Sequence, residues 1–258
     1  MLWYVLVQFL LRLTLGIAMA MAVTPSRLVT SGFYRVHLWV LMGFCTLASL
    51  TLFSQSASLD TTHRASILAA SAAFLSYVGA VLWLYEKRSA GTVLLYVVGG
   101  LAWGGATIIL MRWKDAADAS LLVGLLDILT GALLLGTTIT AMFLGHWYLN
   151  TPTMQLLPLK RLVVLIMITV ALRAALCGWG LSVQWNGDHH AAIGLWSFVA
   201  LRWLSGIVGT LVLAAMTWQT LKIPNTQSAT GILYVGVICS FLGELTSQLL
   251  SVQTPFPL

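Results

Sequence analysis

Apolar stretches of about twenty residues or more, broken by short polar connectors, run the full length of the chain. The segments 36–59, 65–85, 89–111, 203–221 and 223–243 contain no Asp, Glu, Lys or Arg. A helix rises 1.5 Å per residue, so about 20 apolar residues cross a ~30 Å hydrocarbon layer. Backbone amides in lipid must be satisfied within the segment, which favours helices, and the short alternating segments of a membrane β-barrel are absent. The pattern predicts an all-α integral membrane protein. Its eight helices lie near 3–24, 33–54, 65–85, 92–112, 119–148, 161–183, 193–221 and 229–250, in one transmembrane domain covering 1–258.

The connectors carry ordinary stop signals: Thr24-Pro25-Ser26, Arg88-Ser89-Ala90-Gly91, Asn150-Thr151-Pro152 and Ile223-Pro224-Asn225. The first apolar stretch is too long for a signal-peptide core and has no basic residue before Arg12, so it reads as a retained helix. No internal repeat is evident, which weakens an inverted-repeat transporter. The longest predicted loop, 149–160, is too short to be a soluble domain. Chemistry therefore belongs inside the bilayer, at its surface, or on partner subunits.

Composition agrees: 59% of residues are hydrophobic and 8% charged, with a mean hydropathy of +0.94. The net charge of +6 comes from basic residues scattered among loops, which suits membrane orientation and not nucleic-acid binding. Cys45, Cys177 and Cys239 share no metal-like spacing and read as small core residues. Nine of the eleven tryptophans, Trp83 among them, fall near predicted helix ends as an interfacial belt, with Trp103 and Trp203 deeper.

Five charges interrupt the apolar pattern: Arg12, Asp127, Arg173, Arg202 and Glu244. A charge in hydrocarbon costs at least ~2.5 kcal/mol on insertion scales, so each is expected to face protein, water or a cofactor. Small and polar residues share their faces at spacings of three and four. Examples are Asp127 with Gly131 and Thr138, Arg173 with Thr169 and Cys177, and Glu244 with Gly236, Ser240 and Ser247. Pairs such as Arg202–Glu244 and Arg173–Asp127 would lock the bundle. Alternatively, the surplus positive charge faces an anion such as a haem propionate or a substrate carboxylate, or Asp127 and Glu244 form a proton path.

Two histidines also lie within predicted helices, His37 about five residues into the second and His146 near the end of the fifth. Histidines on two helices at similar depth are candidate axial ligands of a b-type haem. Gly131 and Gly145 would let a flat macrocycle approach, although His146 points about 100° from that face. A quinone hydrogen bond or an interfacial role are the alternatives. No other metal site is indicated. His63, His189 and His190, the last two beside Asp188, read as solvated connector residues.

Three classes follow. The first is a membrane subunit of a multisubunit redox complex binding b-type haem, quinone or both, with membrane and peripheral protein partners, in a bacterial-type inner membrane. In that reading the chain is at most a non-catalytic or electron-transferring part of an oxidoreductase. The second is a small ion- or proton-coupled transporter, and the third is a structural or assembly subunit without cofactor.

Loop charge sets an expected topology. With the N-terminus outside, Arg27, Arg35, Lys87, Arg88, Lys160, Arg161 and Lys222 lie inside, against Arg64, Arg112 and Lys114 outside. Seven against three follows the positive-inside bias and predicts both termini outside. A C-terminal alkaline phosphatase fusion should be active and a C-terminal green fluorescent protein fusion dark. The reverse result refutes the orientation.

Overall fold

The computed structural model describes residues 2–55, 61–113, 118–151, 153–186, 193–223, 225–253 and 257. Among the described residues there is no strand. The helices are α1 (Leu2–Val23), α2 (Ser31–Gln55), α3 (Thr61–Leu84), α4 (Arg88–Trp113), α5 (Asp118–Asn150), α6 (Leu157–Asn186), α7 (Ile193–Leu201), α8 (Thr210–Thr220) and α9 (Thr226–Gln253). A π-helical segment, Arg202–Gly209, joins α7 to α8 without a break. The result is eight helical rods, each long and apolar enough by length and composition to cross a membrane, as an integral membrane protein requires.

Helix ends follow local chemistry. Pro25 stops α1, and the Thr24 hydroxyl donates back to the Ala20 carbonyl at 2.7 Å. Glu86 takes a left-handed conformation (φ 54°) after α3, and the Lys87 amide then donates to the Leu82 carbonyl at 2.9 Å, a Schellman-type close. Asn225 caps α9 by accepting the Ser228 amide at 3.0 Å. Pro158 falls in the first turn of α6, where a missing amide costs no helix bond, so α6 begins four residues before the expected 161. α3 likewise starts at Thr61, which places His63 in its first turn near the Phe53 ring (centroids 6.1 Å) rather than in a connector. Asp60, Lys114, Asp115, Pro152, Asp188, His189, His190 and Pro224 lie outside the described residues.

Successive rods alternate in direction. One end of the bundle, here the N-terminal face, holds the starts of α1, α3, α5 and α7 and the ends of α2, α4, α6 and α9. α2, α3 and α4 pack together, as do α5, α6, α8 and α9. α1 joins the two groups, packing on α2, α4 and α5 and touching α9. It is the most buried of the rods, and its Arg12 and Gln8 are buried with it.

The α1–α5 contact is backbone on backbone. A Cβ on Gly16 would overlap the Ala132 carbonyl and lie 2.9 Å from the Gly136 Cα, and one on Gly136 would overlap the Gly16 backbone. Glycines at such a crossing let helices reach the separation where dispersion and dipole contacts are strongest in lipid. Away from these seams large apolar side chains face outward, as with Leu204 (68% exposed) and Phe74 (65%), which is the surface lipid requires. Trp83 departs from the interfacial belt. It is fully buried, stacked on Tyr34 with centroids 3.9 Å apart and planes 5° apart, in space left by Gly91.

Gly136→Val is expected to part α1 from α5. Overpacking a tight core contact costs about 1–3 kcal/mol and more where backbone must move. Thermal unfolding in detergent should show a clear fall in midpoint, and an unchanged midpoint would refute the tight crossing.

Candidate functional site

The five intramembrane charges meet in one network in the half of the bundle nearer the N-terminal face. Its members come from α1, α5, α6, the π-helical segment and α9. Arg12 Nη2 donates to Asp127 Oδ2 at 2.7 Å, and its Nη1 reaches the Asp127 carbonyl at 3.4 Å. Arg173 lies at the centre. Its Nη1 donates to Asp127 Oδ1 at 2.6 Å and to Thr130 Oγ1 at 3.1 Å. Its Nε and Nη2 donate in parallel to Glu244 Oε1 and Oε2 at 2.9 and 2.8 Å. This bidentate fork is the strongest arrangement an Arg–carboxylate pair offers. Arg202 Nη1 sits 3.2 Å from Glu244 Oε1, and its Nη2 donates to Cys177 Sγ at 3.1 Å.

Burial makes these contacts obligatory. Arg173, Arg202 and Glu244 are fully buried, and Arg12 and Asp127 are 4% and 5% exposed. Removing an ion from water costs several kcal/mol, which only close partners and added hydrogen bonds offset. All four carboxylate oxygens accept at least one guanidinium N–H or lie in direct ion contact. Both expected pairs, Arg173–Asp127 and Arg202–Glu244, are present. The sequence reading missed that Arg173 serves both acids and that Arg12 closes the chain through Asp127.

Two glycines make room for this chemistry. A Cβ on Gly131 would lie 2.5 Å from Glu244 Oε2, 3.3 Å from Arg12 Nη1 and 3.4 Å from Arg173 Nη2. Gly206 in the π-helical segment meets Gly243 of α9 backbone to backbone, with a built Cβ on Gly206 2.6 Å from the Gly243 Cα. That approach brings Arg202 beside Glu244. The π segment itself was not expected, because hydropathy does not register hydrogen-bond register. It carries an extra residue per turn, and such segments recur at functional or strained positions.

The histidines lie at the other end of the bundle. His37 is buried, with Nδ1 2.5 Å from the Phe33 carbonyl and its ring against Phe33 and Phe143 (centroids 4.2 and 4.6 Å). A carbonyl can only accept, so Nδ1 carries the proton and neutral His37 keeps its lone pair on Nε2. His146 is exposed, and its Nδ1 lies 3.4 Å from the Tyr234 hydroxyl of α9. The two imidazoles thus have separate surroundings, one a buried aromatic sleeve and the other the bundle's exterior. The glycine face expected to admit a macrocycle is filled by protein. Gly131 faces Glu244, and a Cβ on Gly145 would lie 2.7 Å from Thr230 Oγ1. Among the described residues no three His, Cys, Asp or Glu side chains converge on a metal position.

A third feature had no signal in the sequence. A cavity of about 190 Å³ opens among α1, α2, α3 and α4 at the N-terminal face. It lies one to two helical turns from Arg12, along the α1 face that carries Tyr4 and Gln8. Gln8 Nε2 donates to the Ala106 carbonyl at 2.8 Å, tying α1 to α4 between cavity and network.

Glu244→Gln should destabilise the protein by about 3–5 kcal/mol, because Arg173 and Arg202 then share one neutral acceptor in a buried site. Gly131→Ala should act in the same direction by about 1–3 kcal/mol by displacing the Glu244 carboxylate. Denaturant unfolding in mixed micelles measures both, and wild-type stability in the two variants would show that the network does not hold the helices. Comparison with protein-family models, with curated proteins and with solved structures finds no match, so the functional reading rests on this geometry.

Proposed function

We propose that the chain is the membrane-embedded subunit of a multisubunit redox complex, a rigid frame that holds an electron carrier while partner subunits perform the substrate chemistry. The observation that carries this reading is His37. Its imidazole is buried, fixed in one tautomer through Nδ1 and walled by two rings, which leaves Nε2 as a nitrogen for iron or for a quinol hydroxyl. The short described connectors add to it, since they offer no extramembrane surface large enough for an active site.

The carrier is a quinone, or a b-type haem whose protein ligand is His37 with His146 outside the site. The transporter reading loses support from the ion network, because the Asp127 and Glu244 oxygens are already occupied by guanidinium groups. The same closure favours a second reading, a packing subunit without cofactor. Orientation with both termini outside, and a bacterial-type inner membrane, remain part of the proposal.

Protein purified from native membranes should yield either a b-type band in the reduced-minus-oxidised spectrum or a quinone in the organic extract. His37→Ala should abolish or shift that signal, and His146→Ala should leave it largely intact. Absence of both signals in the wild type sinks the redox reading and leaves the packing subunit.

A further inference from the structure

We infer that the face of the bundle opposite the N-terminal one binds anionic phospholipid head groups, through a layer of Lys and Arg side chains that stand beside exposed apolar neighbours. The inference goes beyond the redox reading and does not depend on it.

Charge comes first. On this face α1, α3, α5 and α8 end and α2, α4, α6 and α9 begin, joined by the connectors 24–30, 85–87, 151–156 and 221–225. All residues of these connectors except Pro152 and Pro224 are described. Arg27, Arg35, Lys87, Arg161 and Lys222 are exposed, and Arg88 and Lys160 are half-buried. Glu86 is the one acid in these connectors and in the helix turns beside them. Among the described residues, neither Glu86 nor any of the seven cations forms an ion pair. About four to eight Lys or Arg beside membrane spans are what attracts anionic lipid, and this face has seven against one carboxylate.

Placement comes second. Arg35, Arg88, Lys160 and Arg161 fall within the first five residues of α2, α4 and α6, where the positive end of the helix dipole disfavours a cation. Helix stability does not account for them, and a phosphate outside the protein would offset the cost. Arg88 Nη1 donates to the Ser26 carbonyl at 3.0 Å, which holds the α3–α4 connector against the α1–α2 connector. Arg27, next to Ser26, and Lys87, next to Arg88, thereby share one patch.

The third observation separates a lipid from an acidic protein as the occupant. The exposed cations stand beside exposed apolar side chains. Val36 follows Arg35, Tyr85 precedes Lys87 by two residues, Leu157 lies one helical turn before Arg161, and Ile223 (77% exposed) follows Lys222. An anionic phospholipid offers a phosphate for the cation and an acyl chain for its apolar neighbour at the same depth. An acidic soluble surface answers only the charge.

The test is electron spin resonance of the protein in phosphatidylcholine bilayers that carry a trace of spin-labelled phosphatidylglycerol or spin-labelled phosphatidylcholine. The motionally restricted fraction gives the relative association of each lipid with the protein. Phosphatidylglycerol should be preferred roughly three- to tenfold at low salt. The preference should fall towards one in about 1 M NaCl, where the screening length is ~3 Å. Arg27→Gln combined with Lys87→Gln should cut the preference by roughly half, and neither side chain makes a hydrogen bond whose loss would unfold the protein. Arg35→Gln combined with Arg161→Gln and Lys222→Gln should act in the same direction. Equal restriction of the two lipids by the wild type would overturn the proposal and leave the cations as orientation signals alone. A preference undiminished in both variants, or binding of a polyglutamate probe without any lipid preference, would overturn it equally.

Discussion

Low dielectric around three guanidinium groups and two carboxylates is the constraint on which the rest of the bundle depends. All five are buried, so each is held as an ion by one or two opposite charges within about 3 Å. Arg173 satisfies two acids at once and therefore fixes the spacing of α5 and α9 around α6. Arg12 and Arg202 extend the same network to α1 and to the π-helical segment. The glycines at 131, 206 and 243 follow from that demand, since any side chain at Gly131 would occupy the place of the Glu244 carboxylate. The backbone contact at Gly16 and Gly136, four residues beyond Arg12 on α1 and nine beyond Asp127 on α5, reads as the packing counterpart of the Arg12–Asp127 ion pair.

Much of the architecture is legible in the hydropathy pattern, because length and apolarity are what a membrane span requires. All eight rods stand where that pattern put them, with starts up to four residues earlier than expected at α3, α4 and α6; the expected connector Arg88-Ser89-Ala90-Gly91 forms the first turn of α4. The network was partly legible. A charge within a span must have a partner, and the two predicted Arg–acid pairs form. The role of Arg173 as a double bridge was not, because helix rotation and crossing angle decide which acid a long guanidinium reaches. Trp83 illustrates the same limit. Depth along a helix is readable in sequence, but the choice between lipid and a stacked Tyr34 depends on which face turns inward. The cavity was invisible for a related reason, since it is made by four helices leaving space at one end.

The bundle divides its polar chemistry by depth. The half nearer the N-terminal face holds the ion network and the cavity, with several buried polar atoms lacking partners, among them Gln8 Oε1, Arg12 Nε and both amide atoms of Gln248. The opposite half holds His37 in its aromatic sleeve and the Tyr34–Trp83 stack. A single cluster of charges and histidines is therefore ruled out by position. An ion network whose carboxylate oxygens are all engaged behaves as a fixed part, and an imidazole apart from it is free to serve a different purpose.

The Arg12–Asp127 pair also sets a problem in time. Its members are 115 residues apart in the chain. α1 is synthesised before α5, and its arginine lacks its Asp127 partner until α5 has been made. Through that interval α1 carries a charge that disfavours the hydrocarbon core by ~2.5 kcal/mol or more. The helix that becomes the centre of the finished bundle is thus the one least suited to settle early. Its final seating waits on α5, which brings the carboxylate that Arg12 needs.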